Sequence, residues 1–215
     1  MFEENSFGII VLLLGTAFLP LVAVTVTAFA KIAVVIFIVR NALGIQQLPP
    51  NIILYGLSLI LSVYVAMPVL NESFSRLEST GLQFDSFAEW RNAGELAVEP
   101  LKAFLQKHTD PKQLAFFSNS TTAIWGEGLA AQADQSSMSI LVPSFLLSEL
   151  TRAFEIGFLL YLPFMAIDII VTTILVALGM MMVPPTTISI PFKLMLFVFL
   201  DGWTKLVHGL ILTYA

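Results

Sequence analysis

Apolar residues run along this chain in long uncharged blocks, not in the narrow stripes of a soluble helix. Residues 5–30, 41–71 and 169–192 carry no charge. Each block exceeds the roughly 20 residues that a helix needs to cross a bilayer. The blocks and their breaks predict an all-α chain, built as two long helical hairpins of transmembrane type. The first helix is expected over about 7–39 and the second over about 51–70. The third is expected over about 143–179, kinked at Pro163, and the fourth over about 186–213.

The breaks share one punctuation. Gly44-Ile45-Gln46-Gln47-Leu48-Pro49-Pro50 closes the first helix, and Gly179-Met180-Met181-Met182-Val183-Pro184-Pro185 closes the third. Aligning Ala42-Leu43-Gly44 with Ala177-Leu178-Gly179 also matches both proline pairs, then Ile53 with Ile188. Proline disfavours helix in the residue before it, so each doublet predicts a firm break between antiparallel helices. Gly44, Pro49, Pro50, Gly179, Pro184 and Pro185 are therefore the expected hairpin breaks. One tip is polar, with Gln46 and Gln47. The other carries Met180, Met181 and Met182, which are unbranched, polarizable and adaptable to changing partners. A methionine run is more often packing filler, but at a tip it is also a candidate seal.

Between the hairpins the pattern changes. The chain divides into a first hairpin (1–70), an acidic helical insert (71–139) and a second hairpin with the methionine tip (140–215). The insert holds nine acids against five bases, a net charge of −4. Glu99-Pro100 and Thr109-Asp110-Pro111 each read as a helix start, with Thr109 or Asp110 as the second cap. Leu101, Phe104 and Leu105 fall on one face, as do Leu114 and Phe117. Lys31 and Arg40 flank the first tip, which the positive-inside tendency makes cytoplasmic. An even number of crossings then puts the insert on the opposite side.

Composition fixes the class. The chain is 57% hydrophobic and 12% charged, with a mean hydropathy of +0.88. Soluble domains carry about 25% charged residues. The chain is expected to lie in a membrane or to be buried by partners on most sides. It has no cysteine, which excludes disulfides, thiol catalysis and zinc–thiolate sites. A net charge of −5 leaves no nucleic-acid footprint. The acidic start Met1-Phe2-Glu3-Glu4 lacks the basic start of a secretory leader, so the first apolar segment is expected to be retained.

Charges inside the apolar segments are the candidate chemistry. The third helix carries Glu149, Arg152, Glu155 and Asp168, and the fourth carries Lys193, Asp201 and Lys205. An Asp or Lys at mid-membrane costs about 2.5–3.5 kcal/mol, so these groups are expected to pair within or between chains. Arg152 lies three residues from both Glu149 and Glu155, and Asp201 four before Lys205. Asp168 and Lys193 have no local partner and need one across the hairpin or in another chain. Structural ion pairs, a proton relay and a charged lumen are the three open readings.

Phosphate-loop, HExxH and GxSxG motifs are missing from the chain. His108 and His208 sit in no nucleophile arrangement. No catalytic residue, cofactor or metal site is expected.

Residues 40–51, Arg40-Asn41-Ala42-Leu43-Gly44-Ile45-Gln46-Gln47-Leu48-Pro49-Pro50-Asn51, resemble the RNALGxQQxPPN signature of the type III secretion export-apparatus family. Its members are called FliP in flagella and SctR in injectisomes. Ser148-Glu149-Leu150, Ala153-Phe154 and Ile156-Gly157-Phe158 resemble its SELxxAFxIGF stretch. Leu178 to Pro185 resembles LGMMMxPP. Ser189-Ile190-Pro191-Phe192-Lys193-Leu194 and Asp201-Gly202-Trp203 resemble its SLPFKL and DGW motifs. Flagellar members usually have a cleaved leader and a longer chain, so this chain looks closer to the injectisome branch.

The resemblance implies a non-enzymatic, channel-forming subunit in the bacterial inner membrane, with its insert periplasmic. It implies a homopentamer, joined by about four copies of a smaller hairpin subunit (SctS/FliQ-like) and one larger subunit (SctT/FliR-like). It further implies a switch protein (SctU/FlhB-like), exported unfolded polypeptides and membrane lipid as partners. In the family the methionine loop forms a gasket around the channel, here Met180, Met181 and Met182. The family's helices rise largely out of the bilayer. The alternative is a small ion-coupled transporter, because transporters also use internal hairpin repeats.

Overall fold

A computed structural model describes residues 6–45, 47–79, 87–131 and 133–215. The acidic start, Gln46 of the first tip and Asp85 of the insert lie outside them. Among the described residues every regular element is a helix. The order is α1 (Ser6–Thr25), α2 (Phe29–Ala42), α3 (Asn51–Ser79), α4 (Phe87–His108), α5 (Pro111–Trp125), α6 (Glu127–Ala130), α7 (Met138–Ala177), α8 (Pro185–Phe199) and α9 (Gly202–Leu212).

Two of the four expected long helices are broken. The first divides into α1 and α2. Around the break the Thr25 hydroxyl donates to the Leu21 carbonyl and the Thr27 hydroxyl to the Ala23 carbonyl. The Phe29 N–H donates to Thr27 Oγ1, so Thr27 opens the next helix. The fourth divides into α8 and α9, bent by 61°. Asp201 stands at that corner in the left-handed region, with φ 50°. The second helix runs past Leu70 and through Pro68 to Ser79. The third starts earlier, at Met138, and stays helical across Pro163.

The chain forms two compact units, Met1–Ala30 with Ala66–Glu149, and Lys31–Val65 with Leu150–Ala215. In the first, Val26, Leu105, Leu141 and Phe145 form a core that Leu101, Phe104, Leu114, Met138 and Val142 complete. Asp110 caps α5 by accepting from the Lys112 N–H at 2.8 Å. Thr109 instead donates back to the Leu105 carbonyl at 2.6 Å. Pro100 does not start a helix: it lies inside α4, which begins at Phe87. The Asp110 N–H donates to Ser148 Oγ at 2.9 Å. That bond ties the turn before α5 to α7.

The second unit is built on α2. Ile32, Val35, Ile36 and Val39 are all buried, as are Leu43 and Leu54. Gly157 of α7 allows close approach: a Cβ there would come within 2.5 Å of the Ile38 side chain. Phe197 of α8 meets Phe164 of α7 and, edge to face, Trp203 of α9.

Two helices, α3 and α7, are long and apolar enough to cross a membrane, and up to four spans exist if each broken pair is one. The 40 residues of α7 correspond to about 60 Å, twice the hydrocarbon thickness. Ile52, Ile60, Tyr64, Phe158, Leu159 and Ile169 are all exposed. Apolar faces of this extent need lipid or other protein against them. The chain is therefore a membrane protein by the length and apolarity of its helices.

Candidate functional site

The methionine tip is held by its helix end. Gly179 has φ +73°. The Gly179 N–H donates to the Val176 carbonyl, and the Met180 N–H to the Leu175 carbonyl at 2.9 Å. This is a Schellman cap, and glycine is its low-cost left-handed residue. The loop then turns out to solvent, leaving Met181 83% and Met182 98% exposed. Pro184 flanks the next helix and Pro185 opens it. Proline suits that first position because its N–H is not needed there.

The first tip has a related geometry. Gly44 has φ +78°, and its N–H donates to the Asn41 carbonyl at 3.0 Å. Both tips therefore end their first helix on a left-handed glycine. The Leu48–Pro49 peptide bond is cis. After it, Pro50 accepts the first helical bonds of α3, from Ile53 and Leu54.

Lys193 joins three elements. Its ammonium donates to Asp168 Oδ2 on α7 at 2.6 Å and to the Ala42 carbonyl at 3.0 Å. Ala42 is the last residue of α2, so the cation also meets the negative end of that helix. The Lys193 side chain is 6% exposed and that of Asp168 is 38% exposed.

Two further basic residues are structural, although the sequence pattern presents them only as flanking charges. Arg40 is buried, donates through Nη1 to Asn51 Oδ1 and the Pro49 carbonyl, and stacks on Phe37. Its contacts brace the first tip against the start of α3. Lys31 is fully buried, with Nζ 3.5 Å from the Tyr214 ring centre, a cation–π contact. The available signal was its setting, Phe29-Ala30-Lys31-Ile32-Ala33, in which a lysine has apolar neighbours on both sides.

Glu155, Asp201 and Lys205 are not brought together with the other candidate charges among the described residues. Among the described residues no ion pair joins Asp201 to Lys205, and Glu155 has none. Asp201 lies at the α8–α9 corner rather than inside a helix, so the four-residue helical spacing does not apply to it. Glu149 is fully buried on α7, and Arg152 stands one turn further on.

Residues 12–210 match the FliP family. The chain belongs to this family. The "Probable translocation protein y4yL" of Sinorhizobium fredii is 52% identical over 197 residues, covering 92% of this chain and 89% of that protein. The "Yop proteins translocation protein R" of Yersinia pestis is 45% identical over 211 residues, covering 98% and 97%. The "Virulence protein YscR" of Salmonella typhimurium is 44% identical over 215 residues, covering 99% and 98%. These relatives are of the injectisome type, and the resemblance read from the motifs holds across nearly the whole chain.

Proposed function

We propose that this FliP-family protein is a channel-forming, non-enzymatic subunit of a type III secretion export gate. In this reading it passes unfolded polypeptides across the bacterial inner membrane as a homopentamer. Smaller hairpin subunits, one larger subunit and a switch protein complete the assembly. The observation that carries the reading is the methionine loop: three apolar side chains presented to solvent from a firmly capped helix end. Such exposure has a purpose where several copies close a pore against one another. A hydrophobic constriction excludes water and ions by dewetting, and methionines repack around a passing chain.

The charge pattern supports the same picture. Glu149, Arg152 and Glu155 crowd the first half of α7, while 156–177 holds only Asp168. A helix about twice as long as the bilayer is thick keeps that charged half outside the hydrocarbon. Glu155, Asp201 and Lys205 are then placed to pair between copies, and the acidic insert lies on the periplasmic side.

The test is deletion of Met180, Met181 and Met182 in cells that assemble the apparatus. Complex yield stays near wild type, because the loop touches no core, and ion leakage through the membrane rises. Normal leakage with reduced yield assigns the methionines to packing and refutes the gate.

A further inference from the structure

We propose that the cleft between the first tip and the start of α8 binds extended polypeptide through its main chain. The inference rests on the channel reading and names a site at the start of α8, the helix that follows the methionine loop. The cleft has a volume of about 700 Å³, which is ligand-sized. Asn41, Gln47 and Thr186 give it polar groups, and Ile45, Leu48 and Ile190 give it apolar area. Gly44 lets the first tip lie close against α8, since a Cβ there would sit 3.0 Å from the Ile190 side chain.

Among the described residues no charged side chain lines the cleft, so they offer nothing to balance an ionic ligand. A carboxamide offers both donors and an acceptor, and a hydroxyl offers both as well. Each peptide unit presents one donor and one acceptor. These side chains therefore suit a main chain whatever its sequence, which is what export of many different substrates demands. Their capacity is unspent: Asn41, Gln47 and Thr186 are exposed, and their side chains hold no hydrogen bond among the described residues.

The experiment places a photo-crosslinking phenylalanine at Gln47 or, separately, at Met181 in the assembled apparatus, with a substrate arrested by a folded C-terminal fusion. Crosslinks to the substrate are expected at both positions. The variant Asn41→Leu/Gln47→Leu is expected to secrete about tenfold less, the loss of one to two net hydrogen bonds. Asn41→Ser/Gln47→Ser is expected to recover part of that loss. Crosslinks at Met181 but not at Gln47 overturn the cleft and leave the channel reading standing. Crosslinks from Gln47 only to a fixed subunit overturn the cleft as well, by making it an assembly interface. Crosslinks at neither position overturn both readings.

Discussion

Gly44 and Gly179 hold the same left-handed conformation for the same reason, to end a helix at a tip. Their surroundings differ. Nothing lies within 4 Å of a Cβ at Gly179, whereas one at Gly44 meets Ile190. Gly179→Ala is expected to cost about 1 kcal/mol, the backbone term alone. Gly44→Ala is expected to cost more, by thermal unfolding of the detergent-solubilised protein. Equal losses would mean that the Ile190 contact yields freely. At Lys193 the asymmetry of burial sets the expectation. Asp168→Asn leaves the buried ammonium without a counter-charge, held by neutral oxygens alone. A loss of about 2 kcal/mol is expected, below the ~3–5 of a fully buried pair because Asp168 is partly exposed. Asp168→Asn/Lys193→Met is expected to be more stable than Asp168→Asn alone. Complex yields across this mutant cycle decide it, and additive losses would remove the pair's coupling.

At the scale of the element, the corner between α8 and α9 is the feature that the pattern of apolar residues hides. The apolar run continues through it, yet Asp201 adopts φ 50° and the helix turns by 61°. Glycine takes that conformation without strain. Asp201→Gly is therefore expected to raise the unfolding temperature, by the equivalent of roughly 1 kcal/mol. If the carboxylate pairs with a neighbouring subunit, as proposed, the same variant assembles and secretes less despite its higher stability. Higher stability with unchanged assembly would leave Asp201 a role in the bend alone. The break between α1 and α2 has the same character, with threonine hydroxyls taking backbone bonds in an otherwise apolar run.

For the whole molecule, the exposed apolar faces of α3 and α7 are the controlling fact. Area of this kind is stable in lipid or against other subunits, and charged groups left without a partner in one chain need partners in another. The detergent-extracted complex is expected to have a mass near five copies of the 23.6 kDa chain plus smaller hairpin subunits and one larger subunit. Intact-complex mass spectrometry checks this. A monomer or dimer with proton-coupled uptake would replace the export gate by the transporter reading.

Sequence alone determined the features that depend on neighbours along the chain. The apolar blocks required a helical membrane protein, because an uncharged run of that length has no stable place in water. Glycine and proline marked both tips, because their backbone preferences act locally, and the methionines lay between those marks. Asp110 beside Pro111 marked a helix start for the same reason. Tertiary structure decided what depends on distance in space. The Lys193 contacts with Asp168 and Ala42 span 25 and 151 residues, so no spacing rule predicts them. Lys31 under Tyr214 joins the first apolar segment to the end of the chain. The corner at Asp201 was equally hidden, since apolar residues on both sides of a bend leave the hydrophobic pattern unbroken. The cleft beside the first tip belongs to this second class, because its walls, that tip and the start of α8, lie far apart in sequence and meet only in the folded unit.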